Sequence, residues 1–174
     1  MTDRSRNIYL VGPMGSGKTA VGRRLAALLD LKFVDSDAEI ERRTGVDIRY
    51  IFEKEGEARF REREREVVAE LTGLDGVVLA TGGGVVLDAL NRERLASTGT
   101  VVYLQASVDT QLERTHRGRN RPLLLGGDPR ETLERLIAIR RPLYEEIADI
   151  TIDTTGRQVR AVALDIRDLL AERV

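Results

Sequence analysis

The segment Gly12-Pro13-Met14-Gly15-Ser16-Gly17-Lys18-Thr19 limits the possible folds of this chain more than any other stretch. It matches G-x-x-x-x-G-K-[ST] and stands between an apolar run, "IYLVG", and an amphipathic stretch, "TAVGRRLAALL". Strand, glycine turn and helix in that order make a phosphate loop. The glycines let the backbone turn its N–H groups onto phosphate oxygens, and the helix N-terminus adds positive potential. Lys18 then reaches the terminal phosphates of a nucleoside triphosphate, and Thr19 is placed to ligate Mg2+.

Four more short runs, "KFVD", "VVLAT", "TVVYLQ" and "ITID", read as strands, each followed by a helical pattern. Such alternation implies right-handed βαβ units and an α/β fold whose parallel sheet is covered on both faces, with ligands at the C-terminal ends of the strands. Two regions break the pattern. Residues 47–72 run helix into helix without a strand, and residues 114–130, "RTHRGRNRPLLLGGDPR", hold Pro, Gly and five arginines. They read as insertions carrying a binding wall and a lid.

A length of 174 residues with 41% apolar content fits a single domain, 1–174, with a real core. The net charge of -1 argues against a general nucleic-acid binder, which would need phosphate neutralisation over a broad surface. No cysteine is present and His116 is the one histidine, so disulfides, thiolate metal sites and a His-rich zinc site are excluded. The polar start "MTDRSRN" and the lack of an apolar stretch near ~20 residues lead us to expect a soluble cytoplasmic protein without a membrane partner.

The kind of nucleotide enzyme is narrowed by what the chain lacks: there is no Asn-Lys-x-Asp guanine-reading element, and neither "VVYLQ" nor "VVLAT" ends in an acid. Acids follow the second strand instead, in Asp35-Ser36-Asp37, whose strand end should lie beside the phosphate loop. Asp35 is a candidate to hold Mg2+ through water, and Asp37 to face an acceptor. Asp37 followed by Ala-Glu-Ile-Glu also resembles a helix N-cap, which leaves its role open.

Two helical stretches carry charge where apolar side chains are expected. At ~100° per residue, Phe60, Val67, Val68 and Leu71 form one stripe, with Glu64 inside it and Arg61 on its border. The rest of "RFREREREV" reads as a solvated face. From about residue 130, Leu133, Leu136, Ile137, Leu143 and Tyr144 cluster on one side with Arg140 in their midst, whereas Arg141 points away. An inward arginine either snorkels to the edge or meets an anion, and its planar fork suits a carboxylate or phosphate. A second glycine turn, Gly82-Gly83-Gly84, ends the run "VLATGGGVV" without a following Lys or Ser/Thr; it leaves room for close approach of a ligand or serves only as a tight turn.

Taken together and in order, these motifs resemble the shikimate kinase family along nearly the whole chain. The likeness rests on Gly12 to Thr19, Asp35-Ser36-Asp37 before Ile40-Glu41, and Ile51-Phe52 through Gly56-Glu57 to Phe60-Arg61. It continues through Leu79-Ala80-Thr81-Gly82-Gly83-Gly84, Arg121-Pro122-Leu123-Leu124, and Arg140 to Tyr144 ahead of Ala148-Asp149. The resemblance implies a nucleoside-monophosphate-kinase-like, three-layer α/β/α fold with a five-stranded parallel sheet, an acceptor-binding region at about 36–72 and a lid at about 115–129. It implies transfer of the γ-phosphoryl group of ATP, with Mg2+, to the 3-hydroxyl of shikimate on the way to chorismate. Position by position it makes Asp37, Lys18 and Arg121 catalytic. ATP would lie on Gly15, Ser16, Gly17, Lys18, Thr19, Ala20, Arg121 and Arg157, the last on the adenine side. Shikimate would lie on Asp37, Arg61, Gly82, Gly83, Gly84 and Arg140, and Thr19 and Asp35 would serve the metal. The duties of Arg117 and Arg119 stay open. A gluconate or nucleoside-monophosphate kinase, and a nucleotide-dependent module without transfer activity, are the competing readings. A monomer is expected.

Overall fold

Residues 6–115 and 127–173 are described by the computed structural model. The runs picked out by their β-branched and apolar content become strands β1 (Ile8–Val11), β2 (Lys32–Asp35), β3 (Val77–Ala80), β4 (Thr100–Gln105) and β5 (Ile150–Asp153). They form one parallel sheet in the order β2-β3-β1-β4-β5. Between and after them lie α1 (Lys18–Leu29), α2 (Ser36–Thr44), α3 (Ile48–Glu55), α4 (Glu57–Leu71), α5 (Ala89–Thr98), α6 (Val108–Thr115), α7 (Pro129–Ile147) and α8 (Val159–Glu172). A single 3-10 turn, Val85–Leu87, precedes α5.

Strand side chains alternate between two cores, as a period of two requires. Ile8, Leu10, Val78, Val102 and Leu104 pack against Val21 and Leu25 of α1 and Val162 and Ile166 of α8. On the opposite face Tyr9, Val11, Leu79, Val101 and Tyr103 meet Val67 and Val68 of α4, Leu95 of α5 and Tyr144 of α7. β1 and β3, covered on both sides, are therefore buried at every position, and their sequences show unbroken apolar runs. β2 and β5, at the edges, are only partly covered.

The expected insertion at 47–72 is the helix pair α3 and α4, separated by Gly56 at a φ of 85°. Most of the expected lid, together with His116, Arg117, Arg119 and Arg121, lies outside the described residues. No described helix is long and apolar enough to cross a membrane.

β2 is not the neighbour of β1, since β3 runs between them. The end of β2 nevertheless reaches the phosphate loop, because Thr19 Oγ1 donates to Asp35 Oδ2 at 2.9 Å. Asp35 is also the N-cap of α2, its Oδ1 accepting from the Ala38 N–H at 3.1 Å. The capping role that the sequence offered to Asp37 therefore belongs to Asp35. Asp37 lies within the first turn of α2, where a carboxylate suits the helix dipole.

Candidate active site

The phosphate loop joins β1 to α1 with Gly15 and Gly17 at φ of 78° and 91°, a left-handed backbone that side chains rarely adopt. It borders a cleft of about 300 Å3 at the C-terminal ends of the strands. Gly15, Gly17, Lys18, Thr19 and Ala20 line this cleft, as do Asp35, Asp37, Gly82 and Gly83 from the neighbouring strand ends. Ser16 is buried beneath the loop. Lys18 is folded onto the loop, its Nζ donating to the Gly12 and Pro13 carbonyls at 2.7 and 2.9 Å.

Asp37 faces the cleft, and its Oδ1 is sealed from solvent without a hydrogen-bond partner, although the residue as a whole is part-exposed. Burial, then the negative charges of Glu64 and Asp35, push its carboxyl up to about 7; Lys18 and Arg61 oppose the rise. A carboxyl group held near neutrality is suited to taking a proton from a hydroxyl.

Both inward arginines sit as their spacing predicted. Arg61 Nη1 donates to Glu64 Oε1 at 3.0 Å, and Glu64 is 1% exposed. Arg61 Nη2 donates to Glu57 at 3.2 Å, while Arg61 Nε and Glu64 Oε2 are buried without partners. Arg140, on α7, is 4% exposed, and no carboxylate of the described residues lies within ion-pair distance. Burial lowers its pKa, and the charge of Arg61 lowers it further. Arg61 is matched by Glu57 and Glu64, whereas Arg140 brings a buried positive charge without a carboxylate partner among the described residues, which an anion would balance.

Gly82, Gly83 and Gly84 hold these groups together. None of the three has a positive φ, so backbone conformation does not require glycine there. Space does. A Cβ on Gly82 would lie 2.7 Å from Asp37 Oδ1 and 3.1 Å from Glu64 Oε2. On Gly83 it would touch Arg140 Nη1 at 3.4 Å, and on Gly84 it would collide with the Arg61 guanidinium. The room expected for a ligand is filled partly by the protein's own charged side chains. The Gly82 N–H, moreover, donates to Ser36 Oγ at 3.3 Å.

Arg157 lies after β5 and reaches Asp165 at 2.5 Å; it does not line the cleft. Arg114, counted in the sequence only among the five arginines of 114–130, was assigned no role there. It lines the cleft and ties the phosphate loop to the segment after β5, donating to Gly15 O at 3.0 Å and to Thr154 Oγ1 and O at 3.1 and 3.0 Å. The available signal was the inward face of α6, on which Gln111 and Thr115 are buried. Tyr144, read as an apolar stripe residue and as the end of the Arg140 to Tyr144 motif, donates its hydroxyl to Gly83 O at 2.5 Å.

Comparison with known proteins gives this geometry a family. The shikimate kinase family model matches residues 14–171. A shikimate kinase of Methylococcus capsulatus is 62% identical over 90% of this chain and 87% of its own. One from Pseudomonas fluorescens is 58% identical over 96% and 97%. Among solved structures, the shikimate kinase from Acinetobacter baumannii in complex with shikimate superposes with a TM-score of 0.95 at 53% identity, covering 97% of this chain and 94% of that one. With a glycine turn fitted around the groups that line its cleft and relatives matched over nearly its whole length, the chain belongs to the shikimate kinase family.

Proposed function

We propose that this protein transfers the γ-phosphoryl group of ATP to the 3-hydroxyl of shikimate, giving shikimate 3-phosphate and ADP. The observation that carries this reading is the meeting of Asp37, Arg61 and Arg140 on one glycine turn beside the Lys18 loop. A proton acceptor and two inward guanidiniums, of which Arg140 has no carboxylate partner among the described residues, suit an acceptor with a hydroxyl at one end and a carboxylate at the other. The shikimate-bound relative of the same fold supports the choice of acceptor.

In this reading the backbone of Gly15 to Ala20 cradles the phosphates, and Lys18 leaves the Gly12 and Pro13 carbonyls to neutralise the β- and γ-oxygens. Arg61 and Arg140 hold the carboxylate, which turns the opposite face of the ring toward Asp37. Asp37 orients the 3-hydroxyl in line with the γ-phosphorus and takes up its proton. Because the transition state is loose, placement outweighs early deprotonation. Arg121, carried over from the family likeness, adds positive charge at the phosphates, and Arg157 a contact near adenine. The acceptor-binding region is 36–72.

Thr19 and Asp35 offer a hydroxyl and a carboxylate 2.9 Å apart at the edge of the cleft. This small, all-oxygen set fits Mg2+, which takes its remaining ligands from water and phosphates, and no larger acidic cluster occurs among the described residues. Bound there with ATP, the ion would screen the phosphate charge.

A coupled ADP-release assay tests the function. Release stimulated by shikimate, and not by gluconate or nucleoside monophosphates, is the expected result. ADP release indifferent to shikimate would overturn it.

A further inference from the structure

Tyr144 is a fully buried side chain that links two parts of the acceptor site without lining the main cleft. It comes from α7, one turn beyond Arg140, so both project on the same side of the helix. They share a wall with Leu133, Leu136 and Ile137. Its ring packs on Tyr103 of β4, with centroids 4.9 Å apart at 33°. That packing leaves the phenol oxygen a single direction, toward the glycine turn, where it donates to Gly83 O at 2.5 Å. The same side chain borders a small cavity that Arg140 also lines. Arg140 Nη1 in turn lies 3.4 Å from where a Cβ of Gly83 would stand. Burial raises the phenol pKa, so the hydroxyl keeps its proton and remains a donor to Gly83 across the working pH range.

We infer that Tyr144 is a positioning residue for acceptor binding: its hydroxyl fixes the Arg140 guanidinium against the Gly83 carbonyl, so that arginine and glycine turn present one rigid edge to the acceptor carboxylate. The inference deepens the proposed function and rests on the part given there to Arg140. Arg140 has no carboxylate partner among the described residues to orient it, unlike Arg61, which has Glu57 and Glu64. The phenol fills that place with a neutral group. A neutral oxygen directs the fork without cancelling the charge the acceptor needs.

The test is a double-mutant cycle with Tyr144→Phe and Arg140→Ala, reading KM for shikimate, KM for ATP and kcat. Phenylalanine keeps the packing on Tyr103 and removes only the hydroxyl. Tyr144→Phe alone should raise the shikimate KM about tenfold with the ATP KM within about twofold of wild type. In the Arg140→Ala background the same change should add less than about twofold, because the group through which it acts is gone. A shikimate KM unmoved by Tyr144→Phe, an equal rise in both KM values, or an undiminished effect beside Arg140→Ala would each overturn the inference. If Arg140→Ala itself leaves the shikimate KM unchanged, the role proposed for Arg140 fails, and this inference with it. A second measurement does not depend on the folding of Tyr144→Phe. 3-Fluorotyrosine placed at position 144 should shift its 19F resonance on saturation with shikimate and not with ATP, and no shift with shikimate would count against the coupling.

Discussion

Asp37 shows how one residue sets stability against chemistry. Its carboxyl is raised to about 7 by burial and by Glu64 and Asp35, against an ordinary value of 3.8. Between those two pH values the folded protein holds a proton that the unfolded chain has released. The stability of the ligand-free protein must therefore fall as pH rises through that window. Asp37→Asn removes the ionisation, and we predict that urea unfolding at pH 8 finds the variant more stable by about 1–3 kcal/mol, a gain that fades toward pH 4. The same substitution should lower kcat by about a hundredfold or more while the ATP KM changes little; an unchanged kcat would remove Asp37 from the mechanism. Gly84→Ala tests the turn at the same scale. Its methyl group would displace the Arg61 guanidinium, so the shikimate KM should rise about tenfold or more and the ATP KM should hold. Gly83→Ala, which meets its neighbours at 3.4 Å, should be milder. Arg61, Glu64 and Arg140 were legible in the sequence because a charge inside an apolar helical stripe breaks a local period. The contact of Tyr144 with Gly83 spans 61 residues, and no spacing encodes it.

At the scale of the element, α4 divides its charged ladder between two tasks. Arg63 pairs with Glu55 at 2.9 Å and Arg65 with Asp88 at 2.5 Å, both partly open to water on either flank of the helix, whereas Glu64 between them is 1% exposed and engaged with Arg61. An exposed pair is screened by water and contributes little. Arg63→Ala should change unfolding free energy by less than about 1 kcal/mol and leave both KM values unchanged. Arg61→Ala, two residues away, should raise the shikimate KM by about tenfold or more, as steady-state kinetics will show. The helices and strands themselves were readable: the five runs of β-branched residues became strands because each is bounded by turn chemistry or a helical period. The owner of the α2 cap was not. Asp35 and Asp37 both precede helix-forming residues, and only the path of β2 decides that Asp35 carries the cap.

For the whole molecule, the alternation of strand and helix made a parallel sheet with ligands at its strand ends expected. The strand order, with β3 inserted between β1 and β2, depends on pairings far apart in sequence and left no local trace. That order brings the glycine turn after β3 between the phosphate loop after β1 and the acids after β2, so all three border one cleft. Ligand binding should therefore be felt globally. Shikimate at a hundred times its Kd should add about 2.7 kcal/mol to the unfolding free energy of the wild type, and thermal melts of Arg140→Ala at the same concentration should show little of that gain.

The tight fit of Gly82 to Gly84 also limits how the preference for an acceptor can be redesigned. Enlarging a residue in a pocket wall usually trims the space left to a ligand. Here a methyl group added to Gly82 or Gly84 would first press on the carboxylates or the guanidinium beside it. Nor is Phe60 a freer position, since its ring lies in the core and the Arg61 guanidinium sits 5.2 Å from its centroid.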